Sequence, residues 1–311
     1  FLLSGFVINY AYNDRWKEMT TASFFKRRLI RLHPMLIMGA FIGLICFLIG
    51  GSEQWNGNTI PFYISIITFL LTCLMIPALP GSFNEIRGNG ELFPLNGPMW
   101  SLFFEYIGNI LYAIFIRRLS TKLLIFVVIL LGILHSIFTI GNLSGYGNLG
   151  VGWTFDTINF FGGMLRMLFP FTLGMLISRR FKAIKLPYPF LICSILLIAT
   201  LSMPYLSAFK AINFNGIYES FCITVIFPLI LIIGASSQEK SKLSQTLGEL
   251  SYPLYIIHYP IMYLFYQWLI KNNQYSLATT YPVAILVVIL SIVLAFILLK
   301  LYDKPLRQRL K

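Results

Sequence analysis

The sequence predicts an all-α fold, a polytopic bundle of about nine to ten transmembrane helices. Of the 311 residues, 57% are hydrophobic and only 11% are charged. A soluble domain carries about 25% charged residues, so this chain has too little polar surface to cover a water-facing globule. Long apolar runs also alternate with short basic stretches, which is the arrangement of a multi-pass membrane protein.

The first element is the apolar stretch FLLSGFVINYAY at 1–12. A helix that crosses a membrane needs roughly 20 apolar residues, so this stretch is too short to span alone. We expect it to be the second half of a helix whose beginning lies upstream of Phe1.

Nine further apolar runs follow, most of them near the length that a bilayer requires. Each is predicted to be helical, because hydrocarbon leaves a single segment no other way to satisfy its backbone. They occupy 33–50, 60–80, 99–116, 122–140, 158–178, 186–206, 216–236, 252–270 and 279–301.

Basic residues set the expected orientation. Of the 24 Lys and Arg residues, 20 lie in five stretches that flank apolar runs, at 15–31, 117–122, 179–185, 240–242 and 300–311. The positive-inside rule places such stretches in the cytoplasm, beside anionic lipid headgroups. We therefore expect these stretches to contact membrane lipids and no nucleic acid. We also expect the protein to lie in the plasma (inner) membrane with its C-terminus on the cytoplasmic side.

The first third of the chain does not fit this alternation. Three apolar runs separate the basic stretches 15–31 and 117–122, and three crossings would end on the wrong side. Either one run must fail to span, or an extra segment must cross. Broken backbone at membrane depth is tolerated only where it is buried in protein or lines a cavity. We expect the proline-rich region 60–98 to hold a re-entrant segment that lines a substrate cavity.

Glu105 is the most conspicuous polar residue within an apolar run. A carboxylate near the bilayer centre costs about 2.5–3.5 kcal/mol, so such groups usually face a cavity or a partner. A structural carboxylate, protonated or paired with arginine, is the alternative to a functional one, and Arg166 is a candidate partner. Trp100 and Ser101 lie five and four positions earlier, on about the same side of a helix.

His258 is a second candidate, either functional or a hydrogen-bonded structural residue. It lies one to two turns into a predicted helix that Ser251 would cap and Pro253 would open.

The basic cluster Lys26, Arg27, Arg28 and Arg31 also has two interpretations. It is either ordinary positive-inside charge or a phosphate-binding site, which arginine forks suit. Arg28 and Arg31 would share one face if this stretch is helical.

Five motifs occur in one order along the chain: FLLSGFVI, FFKRRLIRLHP with Arg28 and Arg31, WSLFFE from Trp100 to Glu105, SYPLYIIHYP from Ser251 to Pro260, and DKPLRQRL with Asp303. This ordered set resembles the membrane acyltransferase-3 family, whose members O-acylate sugars on bacterial surfaces and other exported molecules. Asp303 stands where the family has Glu. The resemblance spans essentially the whole chain and implies a single domain over 1–311.

The resemblance implies acyl-CoA as donor, an acetyl group as cargo and a hydroxyl of an exported or surface glycan as acceptor. We assign no bound cofactor and no metal. The donor's phosphates would dock at Arg28 and Arg31 with Lys26 and Arg27, and other substrate contacts would come from Trp100, Ser251 and Tyr252. The catalytic candidates are Glu105, Ser101 and His258.

One family element has no counterpart here. Family members begin with an earlier helix that carries the histidine taken as the catalytic base. The chain as given starts downstream of it, so we expect this stretch by itself to be inactive.

Two other functions fit parts of the pattern. A transporter or flippase of a glycan or lipid-linked precursor would also explain broken helices and intramembrane charge, although the inverted repeats common in transporters are not evident. A glycan polymerase or ligase would favour large outer loops, whereas the longest outer loop predicted after residue 117 has about 17 residues.

Overall fold

The computed structural model describes residues 1–206, 213–237, 241–273 and 275–310. Lys240 and Lys311, which belong to two of the basic stretches, lie outside these ranges. Within them the chain is helical, and its β-structure is limited to the isolated bridges Glu53–Thr59 and Glu91–Thr154. The all-α membrane bundle predicted from the sequence is confirmed.

Ten helices can be labelled in the described ranges. They are α1 (Leu2–Tyr12), α2 (Thr21–Ile49), α3 (Phe62–Cys73), α4 (Met99–Ile114), α5 (Thr121–Ile140), α6 (Thr157–Arg180), α7 (Pro189–Leu201), α8 (Phe214–Ser236), α9 (Lys242–Asn272) and α10 (Leu277–Leu310). Two of them contain a π-helical turn, at Cys222–Ile226 in α8 and at Leu299–Asp303 in α10.

Five helices, α2, α5, α6, α8 and α10, are long and apolar enough to cross a membrane. Helix α3 has only 12 residues, which is about 18 Å of helix against about 30 Å of hydrocarbon. The apolar run 60–80 therefore yields a helix shorter than a span, and so do the runs 99–116 and 186–206, where α4 has 16 residues and α7 has 13.

No helix forms between α3 and α4. Four prolines interrupt this segment, residues 74–98, and each removes a backbone donor. Its glycines at 81, 88 and 90 have positive φ angles, which a helix does not accept. The segment is nevertheless well packed, because Ile86 and Leu95 join Leu44 and Phe47 of α2 in one buried cluster.

The chain divides into two compact units. Unit 1 comprises Phe1–Thr21, Phe104–Gly152 and Asp156–Lys240. It holds α1, most of α4, and α5 to α8. Its closest helix pair is α1 and α6, where a Cβ on Gly5 would lie 1.9 Å from the carbonyl oxygen of Phe171 and one on Gly174 would lie 2.0 Å from that of Leu2. Only glycine allows the two backbones to approach this closely.

Unit 2 comprises Ala22–Phe103, Trp153–Phe155 and Ser241–Lys311. It holds α2, α3, the segment 74–98, the start of α4, α9 and α10. Met35, Ile257, Ile261 and Ala295 form the buried contact of α2, α9 and α10. Asn96 Nδ2 donates to the carbonyl of Ile256 at 2.8 Å, which ties the irregular segment to the middle of α9.

Two local predictions are wrong. Ser251 does not cap a helix, because α9 begins nine residues before it, at Lys242. The side chain of Ser241 caps that start by accepting the N–H of Ser244 at 3.0 Å. Ser251 Oγ instead donates to the carbonyl of Gly248 one turn back. The prediction placed the start at Pro253, but Pro253 and Pro260 both lie inside α9.

The basic stretch before Pro34 is helical. Lys26, Arg27, Arg28 and Arg31 all belong to α2, which continues through Pro34. Because this stretch is helical and the two residues are three positions apart, Arg28 and Arg31 share one helix face.

Candidate functional site

Glu105 is buried in unit 1, with 8% of its surface exposed. The hydroxyl of Ser4, on α1, donates a hydrogen bond to Glu105 Oε1. Ser4 precedes the glycine that allows α1 to pack against α6, so the same tight helix contact that shapes unit 1 fixes the donor to this carboxylate. Sequence analysis missed Ser4 as a site residue, although it lies within the FLLSGFVI motif.

Arg166 lies in α6, also in unit 1. Its Nη1 donates to the carbonyl of Val151 at 2.9 Å. Asp156, another carboxylate of unit 1, caps α6 by accepting the N–H of Asn159 at 2.8 Å. Asp156 therefore has a structural task of its own.

The basic cluster lies at the start of α2 in unit 2. Lys26, Arg27 and Arg31 are exposed, and Arg28 is half-buried. The charged and polar groups that act electrostatically on Arg31 are Arg307, Asp303, Tyr252 and Arg28. The cluster thus extends beyond α2 to Tyr252 in α9 and to the end of α10.

Asp303 and Arg307 are the residues of α10 that belong to this extended cluster. Asp303 is 1% exposed, and its Oδ2 is paired with the Arg307 guanidinium one turn later in α10. Tyr252 OH donates to the carbonyl of Leu32 at 2.6 Å, which holds α9 beside the residue that follows Arg31. The DKPLRQRL motif was the only signal in the sequence for the part played by Asp303 and Arg307.

His258 is half-buried in α9. Its Nδ1 lies 2.9 Å from the carbonyl oxygen of Tyr255 and 3.1 Å from that of Leu254. Because a carbonyl only accepts, we assign the proton to Nδ1, which leaves a lone pair on Nε2. Nε2 has no hydrogen-bond partner among the residues that the structure describes, so it is available to accept one.

Ser101 lies beside the same part of α9. Its Oγ is 2.5 Å from the hydroxyl oxygen of Tyr255, which also donates to the carbonyl of Pro98 at 3.0 Å. The Tyr255 and His258 rings are 6.1 Å apart between centroids. Tyr255 therefore connects Ser101 to His258 within unit 2, a link that sequence analysis did not foresee.

The remaining predicted site residues are more peripheral. Trp100 is half-buried next to Ser101 in α4, and Ser251 is exposed in α9. Ser101 and Glu105 lie four residues apart on α4, but Ser101 belongs to unit 2 and Glu105 to unit 1.

A buried arginine in the segment 74–98 was not predicted. Arg87 is 0% exposed, and its Nε donates to the carbonyl of Pro94 at 2.9 Å. Three aromatic rings surround its guanidinium carbon, those of Tyr263 at 4.0 Å, Phe47 at 4.9 Å and Trp55 at 5.2 Å. Such cation–π contacts strengthen when the charge is removed from water.

Glu91 lies near Arg87 and accepts a hydrogen bond from Tyr263 OH. Burial raises the pKa of Glu91, and the hydrogen bond from Tyr263 opposes that rise. Burial likewise lowers the pKa of Arg87. The sequence signal that could have revealed this pair is the occurrence of Glu85, Arg87 and Glu91 in a short stretch between apolar runs.

The described ranges contain no group of three or more His, Cys, Asp or Glu side chains arranged to hold a metal ion. The four cysteines are free thiols.

Comparison with known proteins gives three findings. A family model described as an acyltransferase domain matches residues 1–300. A protein called "Protein 2 in picA locus" from Rhizobium radiobacter is 32% identical over 131 residues, which is 39% of this chain and 65% of that protein. No solved structure matches the chain.

Proposed function

The chain belongs to the acyltransferase family whose model it matches over residues 1–300, and we propose that it moves an acyl group, specifically acetyl, from cytoplasmic acyl-CoA to a hydroxyl of an exported or surface glycan. The family match is the observation that carries this proposal. The membrane fold supports it, because a soluble donor and an exported acceptor reach the reaction from opposite sides of a bilayer.

The proposed reaction forms one ester and breaks one thioester. The acceptor hydroxyl oxygen attacks the thioester carbonyl carbon, the C–S bond breaks, and the hydroxyl proton ends on the released thiol. The transfer needs a group to receive that proton and a site to hold the thioester.

His258 suits a role on the acceptor's proton path. Donation from Nδ1 to the helix backbone orients the ring and leaves Nε2 as an acceptor for a hydroxyl. In this proposal Ser101, held by Tyr255, lines the same path. Glu105, held by Ser4, positions the acceptor or the base in unit 1.

We assign the donor's phosphates to Arg28 and Arg31. Arginine binds phosphate through paired N–H groups, and these two side chains lie on one face of α2. Asp303 and Arg307 position Arg31 from α10. Tyr252 supports the arrangement through its bond to Leu32, and Lys26 and Arg27 add positive charge at the rim.

The test is transfer of labelled acetyl from acetyl-CoA to surface glycan by the intact protein in its membrane. The double variant Arg28→Ala/Arg31→Ala is expected to raise the KM for acetyl-CoA by about 100-fold, since each charged hydrogen bond contributes about 1.5–3 kcal/mol. The matched control Arg15→Ala/Lys17→Ala removes the same charge from exposed positions in the same basic stretch. Unchanged kinetics in the first variant, or equal losses in both, would overturn the assignment of these arginines. An intact wild type that transfers no acetyl or other acyl group would overturn the function itself.

A further inference from the structure

Unit 1 contains a polar cleft of about 810 Å³ that none of the predicted site residues lines. Its walls come from the end of α1, the turn between α4 and α5, and the end of α6. The lining residues that matter here are Asn9, Asp14, Arg117, Ser120, Thr121 and Arg179. Sites for small molecules usually have volumes of about 300–1,000 Å³, so this cleft is large enough for a nucleotide or a lipid headgroup.

Arg117 is fixed in place at the edge of the cleft. Its guanidinium carbon lies 3.9 Å over the ring of Trp16, and its Nε donates to the carbonyl of Ala113 at 2.8 Å. Trp16 is itself held by the bond from its Nε1 to Tyr112 OH at 3.2 Å. The two Nη atoms of Arg117 have no hydrogen-bond partner in the described part of the chain. A guanidinium with its plane fixed and its terminal donors free is pre-organised to bind a phosphate through two bonds.

Two further groups supply donors on the same side. Arg179 lines the cleft while its Nη1 donates to the carbonyl of Leu119 at 2.7 Å, which fixes its positive charge there. Helix α5 begins at the cleft, where Ser120 Oγ accepts the N–H of Leu123 at 3.2 Å. The N–H groups of Thr121 and Lys122 precede that capped position, and a helix start of this kind favours anions.

A buried side chain whose oxygen atom has no hydrogen-bond partner in the described part of the chain also lines the cleft. Asn9 is 3% exposed, its Nδ2 donates to Ser178 Oγ at 3.1 Å, and its Oδ1 has no partner among the described residues. A buried polar atom without a partner costs free energy, so Asn9 would be stabilised by a hydrogen-bond donor on a ligand. Asn9 and Asp14 can accept hydrogen bonds from hydroxyl or amino groups, which a phosphate ester carries on its organic part.

We propose that this cleft is a binding site for a phosphate ester, held by Arg117, Arg179 and the N-terminus of α5. Two sources share that chemistry, a nucleotide such as the phosphorylated part of the acyl donor, and the headgroup of an anionic phospholipid. The first source rests on the proposed function, and the second does not. The basic stretches 117–122 and 179–185 border the cleft, which agrees with a ligand on the cytoplasmic side.

The experiment is a titration of the purified intact protein in phosphatidylcholine nanodiscs with adenosine 3′,5′-bisphosphate, and in parallel with phosphatidylglycerol added to the discs. The variant Arg117→Gln/Arg179→Gln is expected to weaken binding of one of these ligands by at least about tenfold. The matched control Arg118→Gln/Arg180→Gln removes the same charge from the neighbouring exposed positions and is expected to change binding less than about twofold. Selective loss of nucleotide binding identifies the donor as the source, and selective loss of phosphatidylglycerol binding identifies the lipid.

A second variant separates binding from folding, because Arg179 also supports the backbone. Thr121→Asp places a negative charge at the start of α5, where it favours the helix and repels phosphate. It is expected to weaken binding by about tenfold, whereas Thr121→Asn is expected to leave binding nearly unchanged. Binding that survives in Thr121→Asp, equal losses in the two arginine pairs, or no binding of either ligand by the wild type would overturn the proposal.

The proposed function is tested by acyl transfer, whereas the cleft inference is tested by ligand binding. If the wild type transfers acyl groups while the cleft variants bind both ligands normally, the cleft inference fails alone. If the wild type transfers nothing but binds phosphate through the cleft, the function fails alone. Selective binding of the bisphosphate in the cleft would also replace the assignment of the donor's phosphates to Arg28 and Arg31, which selective binding of phosphatidylglycerol leaves in place.

Discussion

Two buried charges, Glu105 in unit 1 and Arg87 in unit 2, are held in different ways. Glu105 lies on a regular helix and is bonded to Ser4 on another regular helix, which glycine-mediated packing against α6 keeps in place. Arg87 lies on irregular backbone and is enclosed by aromatic rings from α2, from the loop at Trp55 and from α9. A charge can thus be positioned by helix packing, which has sequence periodicity, or by a folded loop, which has none.

The largest effect on stability is expected from a substitution that disrupts the aromatic enclosure of Arg87. Arg87→Met removes the hydrogen bond to the Pro94 carbonyl, the three cation–π contacts and the electrostatic support that Arg87 gives Glu91, and it is expected to lower the free energy of unfolding by about 3 kcal/mol. SDS titration in mixed micelles measures the loss. Arg87→Met/Glu91→Gln is expected to recover part of it. A single variant as stable as the wild type would mean that Arg87 does not hold this segment.

The next effect concerns activity in unit 1. Glu105→Gln keeps the shape of the side chain but removes its charge, and it is expected to lower kcat by about 100-fold if Glu105 positions the acceptor or the base. Ser4→Ala removes only the neutral donor and is expected to cost about tenfold. Rates of acetyl transfer at equal protein levels compare the two variants. A larger loss for Ser4→Ala than for Glu105→Gln would contradict the role of the carboxylate.

Helix packing in unit 1 can be tested without the charge. Gly5→Ala would place a methyl group 1.9 Å from the Phe171 carbonyl oxygen and is expected to cost about 1–3 kcal/mol of unfolding free energy. Gly248→Ala is the matched control, since nothing lies within 4 Å of its added carbon and alanine favours a helix by up to about 1 kcal/mol. The prediction fails if the two substitutions change stability by the same amount.

The smallest effect is a pH dependence in unit 2. Burial raises the pKa of Glu91 in the folded protein above its ordinary value of 4.5. The folded state therefore holds the proton more tightly, and stability is expected to fall as the pH rises from about 4.5 through the raised value, by at most about 1.4 kcal/mol per pH unit. Glu91→Gln should remove this slope from the thermal unfolding midpoint. Glu53→Gln, which alters a more exposed carboxylate paired with Lys271, should retain it.

The sequence predicted the helical architecture well because membrane insertion imposes long apolar runs, which became α2, α5, α6, α8 and α10. Counting basic stretches also predicted irregular behaviour in the early part of the chain, where α3 has only 12 residues; which of the early segments crosses the membrane stays a prediction. The start of α9 was mispredicted, because Ser251 and Pro253 resemble a helix start while Ser241 supplies the actual cap. The surroundings of Arg87 could not be predicted, because they depend on irregular backbone that brings distant residues together. The link from Tyr255 to Ser101 could not be predicted, because it joins two helices whose residues are 154 positions apart.

The candidate site was predictable only where a motif coincided with a regular helix. Glu105, His258, Arg28 and Arg31 stood out because they are polar within or beside apolar runs. Ser4 and Tyr255 did not, because serine and tyrosine are common in membrane helices and only tertiary contacts distinguish them. The catalytic and substrate-binding roles of these residues stay predictions that the proposed experiments test.

The π-helical turn at Leu299–Asp303 gives α10 an angular offset just before its last turns. A π turn accommodates one extra residue, whereas a residue inserted into an uninterrupted α-helix rotates everything beyond it by about 100°. One residue inserted directly after Asp303, beyond the π turn, would therefore rotate Arg307 by about 100° relative to Asp303 and separate the two charges. The apolar length of α10 would stay the same, so the helix would keep its place in the membrane while Asp303 lost its partner.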